Sequence, residues 1–186
     1  IVRWGDEIWV ATGRAGLHRY HNGNWTWYKP LGPEGLVCHT VESMVVDAAS
    51  DALVIGSEHD GVRVLRSRVG EIQFEPVMIA KDWGFDLPSC IATDVSGSVY
   101  VVDSGNRHIQ KFDGSGNLLT TLTSKCSEFS GLSGIVTDDC GNIYGVDRDS
   151  HCIQKFCSSG DLLATWGSYG SRECEFRSPA GIAIDT

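Results

Sequence analysis

Short runs of β-branched and aromatic residues alternate with turn clusters through much of the chain. CIATD, SVYVVD, HIQKF and NLLTTL, between Cys90 and Leu122, show the partial every-second-residue alternation of half-buried strands. VSGS, DSGN and DGSG separate them, and such clusters supply positive φ and side-chain caps. No stretch has a convincing helical period. The pattern predicts four antiparallel strands of about five residues each, joined as one up-and-down sheet.

The unit then recurs. Ser89 to Ser124 aligns without a gap on Ser133 to Ser168 at an offset of 44, and 18 of the 36 positions are identical. Self-similarity at this period marks a repeat architecture and outranks any single motif. Met44 to Leu65 (MVVDAASDALVIGSEHDGVRVL) and Gly5 to Tyr28 (GDEIWVATGRAGLHRYHNGNWTWY) keep the same strand–turn–strand grammar with less identity.

GIVTDDCGNIYGVDRDSHCIQKFCSSGDLLATWGS resembles an NHL repeat, and the resemblance extends from Ser89 to Thr186. The segment from Gly5 to Tyr28 is similar to the propeller repeats of bacterial two-component sensor ectodomains. Both resemblances imply an all-β fold, a β-propeller of four blades of four antiparallel strands in one domain, 1–186. The expected blades are 179–186 plus 1–30, 41–80, 89–124 and 133–168. In that arrangement PAGIAIDT supplies the innermost strand of the N-terminal blade. Residues Gly181–Asp185 would then pair antiparallel with Glu7–Thr12, which removes exposed sheet edges. The alternative is an excerpt of a six- or seven-bladed propeller.

Composition narrows the function. With 22 glycines and 5 prolines in 186 residues, the chain suits many tight turns. A net charge of −9 argues against nucleic acid, whose phosphates need a basic face. No apolar run reaches the roughly 20 residues of a membrane-spanning helix. Seven cysteines without a Cys-x-x-Cys pair favour an oxidising compartment, extracellular or periplasmic, with disulfides as one expectation. Cys38, Cys126 and Cys174 fall in connections between blades, with Cys90 and Cys152 near that end of the blades. Cys140 and Cys157 fall at the opposite end, and scattered small residues are the competing reading.

Three sets of residues carry candidate chemistry. Asp47, Asp94, Asp138 and Asp185 end the innermost strands. They form either a cation site of hard oxygen ligands or caps on the turns that follow, the cap being favoured because buried like charges repel. Arg14, His59, Arg107, His108, Arg148 and His151 occupy the loops between second and third strands, a face that binds RNA in some NHL proteins. Here that face is expected to meet a protein or glycan surface, or a second copy of the chain. Trp25 and Trp27 share one face of an outermost strand and would mark a contact surface if exposed.

Two function classes follow: a non-enzymatic binding or scaffold module without a cofactor, and a lyase- or lactonase-type propeller with a metal in its channel. The enzyme class needs histidines or carboxylates projecting from innermost strands. All six histidines fall on third strands or in loops, and no Gly-x-Ser-x-Gly, phosphate loop or His-Glu-x-x-His occurs.

Overall fold

The computed structural model describes residues 1–12, 16–28, 41, 43–48, 51–57, 61–68, 71–75, 84–123 and 131–185. Within them lie four antiparallel four-stranded sheets, each with its strands side by side in chain order. The first holds β1 (Val2–Trp4), β2 (Glu7–Ala11), β3 (Leu17–His21) and β4 (Asn24–Tyr28). The second holds β5 (Ser43–Asp47), β6 (Ala52–Ser57), β7 (Gly61–Arg68) and β8 (Glu71–Glu75). The third holds β9 (Pro88–Thr93), β10 (Val99–Asp103), β11 (His108–Phe112) and β12 (Leu118–Leu122). The fourth holds β13 (Leu132–Thr137), β14 (Ile143–Asp147), β15 (Cys152–Phe156) and β16 (Leu162–Trp166).

Alternation along each strand gives every sheet two apolar faces, one toward the next sheet and one toward the preceding sheet. The forward face of the first sheet (Trp4, Trp9, Leu17) packs on Leu53 and Ile55 of the second. Ala52, Val54 and Val62, on the forward face of the second, pack on Ile91, Val99, Val101 and Phe112 of the third. Tyr100, Val102, Ile109 and Leu122 then pack forward on Leu132, Ile135, Ile143 and Phe156 of the fourth. The core is thus a series of interleaved layers between sheets.

The innermost strands are also tied to one another by side-chain bonds to backbone. The Ile91 amide donates to Ser43 Oγ at 3.0 Å, Thr137 Oγ1 donates to the Thr93 carbonyl at 2.7 Å, and Cys90 Sγ donates to the Ser133 carbonyl at 3.1 Å. Ser133 Oγ continues the series, donating to the Pro179 carbonyl at 2.9 Å.

The N-terminal sheet departs from the expected arrangement. The inner partner of β2 is β1, in the register Val2↔Trp9 to Trp4↔Glu7, and not the segment Gly181–Asp185. The physical reason is local. Gly5, at φ +57°, opens a two-residue hairpin loop between Trp4 and Glu7, so pairing costs little chain entropy. Trp4 then adds burial, and its Nε1 donates to Asp51 Oδ1 at 2.6 Å. Residues 179–185 carry no strand; Gly181 and Ile182 pack beside Gly134 of β13. The first sheet therefore spans Val2–Tyr28 rather than 179–186 plus 1–30.

Phe112 is fully buried between the second and third sheets, whereas Leu119 is exposed on β12. Phe112→Ala is expected to lower the unfolding free energy by about 3–5 kcal/mol. Leu119→Ala should change it by less than about 0.5 kcal/mol. Urea unfolding of the two variants checks the layered core, and equal losses would contradict it.

Candidate recognition face

Each sheet has two ends, and they are built differently. At one end four tight turns share a single hydrogen-bond pattern. Gly97 N bonds to Asp94 O at 2.9 Å, Gly116 N to Asp113 O at 3.0 Å, Gly141 N to Asp138 O at 2.9 Å and Gly160 N to Cys157 O at 2.9 Å. All four glycines have positive φ, between 77° and 92°, as a type I turn closed by a left-handed residue requires. In three of the turns the leading Asp holds the loop with its side chain. Asp94 Oδ1 accepts from the amides of Ser96 (3.0 Å) and Ser98 (2.9 Å), and Asp138 Oδ1 from those of Cys140 (3.0 Å) and Asn142 (2.8 Å).

The second carboxylate oxygen of these two residues faces a repeated pair. Tyr100 donates to Asp94 at 2.9 Å and Tyr144 to Asp138 at 3.0 Å. Lys111 and Lys155 complete the groups at 3.6 and 3.8 Å, each ammonium lying 4.9 Å from its tyrosine ring centroid. Burial pushes both carboxyls up, but the hydrogen bonds and the lysine together outweigh it and hold both below the ordinary carboxylate value. The same bond and burial raise the Tyr100 hydroxyl, chiefly through burial. The tyrosine and lysine roles were missed from the sequence, although their common offset of 44 was a readable signal.

These carboxylates do not gather around the channel. Asp47 is buried at the end of β5, and Asp185 is exposed. Among the described residues no three His, Cys, Asp or Glu side chains are grouped as metal ligands. A cavity of about 410 Å³ lies beside the innermost strands, lined by β5, β9, β13 and by Ala180, Gly181, Ile182 and Ile184, and none of the four carboxylates lines it.

The opposite end carries the candidate loop residues. Arg14 and His59 lie outside the described residues. Arg107 and His151 hold equivalent left-handed positions, φ +55° and +56°, closing the four-residue loops 104–107 and 148–151. Under each loop sits a buried carboxylate. Asp103 accepts from the Asp86 amide at 2.7 Å and Asn106 Nδ2 at 2.9 Å; Asp147 accepts from the amides of Asp149 (3.1 Å) and Ser150 (2.8 Å). Connections between sheets clamp the loops from the side: Gly105 N bonds to Asp86 O at 2.7 Å and Arg148 N to Gly131 O at 2.8 Å.

The candidate side chains divide into two groups. Arg107 and Arg148 are exposed. His108 turns inward, its Nε2 3.1 Å from Asp103 Oδ2 and 3.0 Å from Gln110 Nε2, and so supports the loop from within. His151 Nδ1 accepts from the Ser178 amide at 3.0 Å and its ring packs on Tyr169 with centroids 4.8 Å apart. That contact brings in a lobe, residues 168–178, which the sequence reading did not single out. The bridge Tyr169↔Phe176 ties the lobe together, and the Arg177 guanidinium lies 5.6 Å from the Tyr169 ring centroid. Arg107, Arg148, Arg172 and Arg177 are all exposed at this end of the sheets.

The described cysteines correct the disulfide expectation. Cys90, Cys140, Cys152, Cys157 and Cys174 are all free thiols, and Cys38 and Cys126 lie outside the described residues. Cys90 and Cys152 are packing residues whose thiols burial pushes up, away from reactivity. Cys157 stands where the other three turns have Asp.

The four sheets stacked face to face in chain order have a β-propeller-like architecture. Residues 85–112 match the NHL repeat family model. No curated protein matches the chain significantly. Among solved structures, catalytically inactive virginiamycin B lyase from Staphylococcus aureus with quinupristin superposes at TM-score 0.65 with 15% identity, over 95% of this chain and 56% of that one. A Bacteroides thetaiotaomicron protein of unknown function gives 0.69 and 15%, over 97% and 52%. A chain of the nidogen/laminin complex gives 0.63 and 16%, over 86% and 62%. At these identities the likeness is one of fold, and this chain spans about half to three-fifths of the structures it matches.

Two outcomes test the turns. With its pKa below the unfolded value of about 3.9, ionised Asp94 stabilises the fold above that pH and ceases to do so as pH falls through the lowered folded value. Asp94→Ala should therefore cost about 2 kcal/mol at pH 7, with the gap to the parent narrowing below about pH 4 in urea titrations. The combined change Cys157→Asp/Asp161→Asn recreates the Asp113–Asn117 turn and should raise the melting temperature; an unchanged or lower value would contradict the capping account.

Proposed function

We propose that this chain is a non-enzymatic recognition module that binds a protein partner through the end carrying loops 104–107 and 148–151 and lobe 168–178. The observation that carries this reading is the contrast within each loop. Buried Asp103 and Asp147 and the inter-sheet connections fix the backbone, while exposed arginines project from it. Fixed loops reduce the entropy lost on binding, and a guanidinium recognises carboxylates in two-pronged geometry. The two best-matched repeats differ most here, SGNRH against RDSHC, between identical flanking Asp and Ile-Gln-Lys-Phe. Recognition concentrates in such loops because the strands are committed to packing. The nidogen/laminin structure is, by its description, a complex of two proteins in which a similar fold takes part.

A lyase reading is supported by the virginiamycin B lyase likeness across 95% of this chain and by the channel cavity. Among the described residues no residue set carries it: the histidines are engaged in loops or lie on third strands, and Asp94 and Asp138 are taken up by their turns. A binding role asks nothing of the channel.

A photo-crosslinking residue at position 107 or 148 is expected to capture a partner that the same group at Leu119 does not. Arg107→Asn with Arg148→Ala should weaken that complex by at least about tenfold, or 1.4 kcal/mol, with the melting temperature unchanged; Asn tolerates the left-handed conformation. Unchanged affinity would overturn the reading, as would loss of quinupristin from solution on incubation with the protein.

A further inference from the structure

The sequence holds a single Asn-x-Ser/Thr triplet, Asn24-Trp25-Thr26, at the start of β4. The two-residue loop Asn22-Gly23, at φ +49° and +80°, joins β3 to β4, and His21 pairs with Asn24 as the last rung of the ladder. Side chains two residues apart on a strand share a face. Asn24 and Thr26 therefore lie with Tyr28 on the face turned to the second sheet, while Trp25 and Trp27, both exposed, project from the other. Asn24 and Thr26 are exposed all the same, beside a sheet that the chain itself contains. The third sheet, packed on both faces, repeats this: Ser115 and Asn117, the counterpart of Asn24, are exposed at its corresponding turn. Exposure thus belongs to the tip of the outer hairpin and not to the want of a neighbouring sheet. Space is open around that tip, since a methyl group on Gly23 would meet no atom within 4 Å.

We propose that Asn24 is the acceptor of an N-linked glycan, supplied by a polyprenol-pyrophosphate-linked oligosaccharide. An asparagine with a hydroxyl residue two positions on, standing on an accessible surface segment, is the acceptor unit of that transfer. Asn24 Nδ2 bonds to the anomeric carbon of the oligosaccharide, and the bond from that carbon to the pyrophosphate oxygen breaks. The polyprenol pyrophosphate leaves with the electron pair, and one amide proton is released. Asn24 Nδ2 donates to the Asn22 carbonyl at 3.2 Å. A primary amide has two N–H donors and gives up only one, so the linked nitrogen keeps a donor for that bond. The tip is the counterpart of turn 113–117, at the end of the sheets opposite loops 104–107 and 148–151. A glycan there leaves the loop end open, and the site rests on none of the observations behind the binding role. The transfer takes place on the non-cytosolic side of a membrane, so an occupied Asn24 also marks the compartment of the chain.

The chain, secreted from cultured mammalian cells behind a cleavable leader, is expected to exceed its polypeptide mass by the mass of a glycan. Peptide-N-glycosidase should remove the whole increment and leave aspartate at position 24. Asn24→Gln and, separately, Thr26→Val should abolish the increment, whereas Thr26→Ser keeps the hydroxyl and should retain it. The glycosylated and enzyme-treated chains should melt at the same temperature, as an exposed tip requires. A secreted parent at its polypeptide mass overturns the proposal. So does an increment that survives Asn24→Gln, or a melting temperature lowered by the glycan. If the chain is held inside the cell, translation in the presence of microsomes reads the same transfer, and an imported chain without a glycan overturns the proposal equally.

Discussion

Everything in this molecule depends on one constraint: a four-stranded sheet of short strands is not stable until its apolar side chains are covered by a neighbouring sheet. A sheet of five-residue strands buries too little by itself to offset the chain entropy of ordering it. The chain meets the constraint by repetition. The first and third sheets offer forward faces of larger side chains (Trp9, Tyr100) to rear faces of aliphatic and Phe side chains (Leu53, Ile55; Ile143, Phe156), whereas the second offers the small Ala52, Val54 and Val62 to the larger rear face of the third. The bonds joining Ile91 to Ser43, Cys90 to Ser133 and Thr137 to Thr93 link neighbouring innermost strands and fix those sheets' height relative to one another.

The two ends of the sheets are built differently. At the Asp-capped end, side-chain chemistry repeats down to the tyrosine hydroxyl and the lysine, and the polar groups are spent on holding tight turns. At the loop end, the repeat is kept only below the surface. Asp103 and Asp147 are buried and equivalent, but the residues above them differ. Shared support under differing tips fits the recognition role proposed for this end, since the tips can differ between repeats without disturbing the sheets.

The third and fourth sheets were legible almost to the residue, because an offset of 44 with half its positions identical fixes turns and strands together. The second sheet was legible in outline. The first was read correctly from β2 to β4 and wrongly at its inner edge. Val2–Trp4 is only three residues long and has no counterpart in the other repeats, while PAGIAIDT has one; similarity pointed to the distant segment and a two-residue hairpin selected the near one. At the candidate site, sequence position placed Arg107, Arg148 and His151 on one end. It could not show that His108 turns in toward Asp103, since that depends on a buried carboxylate whose exposure no pattern reports. The lobe at 168–178 has no repeat equivalent and no periodicity, and its fold rests on contacts such as Tyr169 to His151 that exist only in three dimensions. Cysteine number suggested disulfides, but Cys90 and Cys152 serve as small apolar packing residues.

Native-state hydrogen exchange tests the central claim, that the sheets stand only by covering one another. Amides of β6, β10 and β14 lie in different sheets yet share the interleaved core. They are predicted to exchange through one common opening, with the same free energy and the same dependence on denaturant. Separate opening free energies for the second, third and fourth sheets, each with its own shallow denaturant slope, would contradict the account.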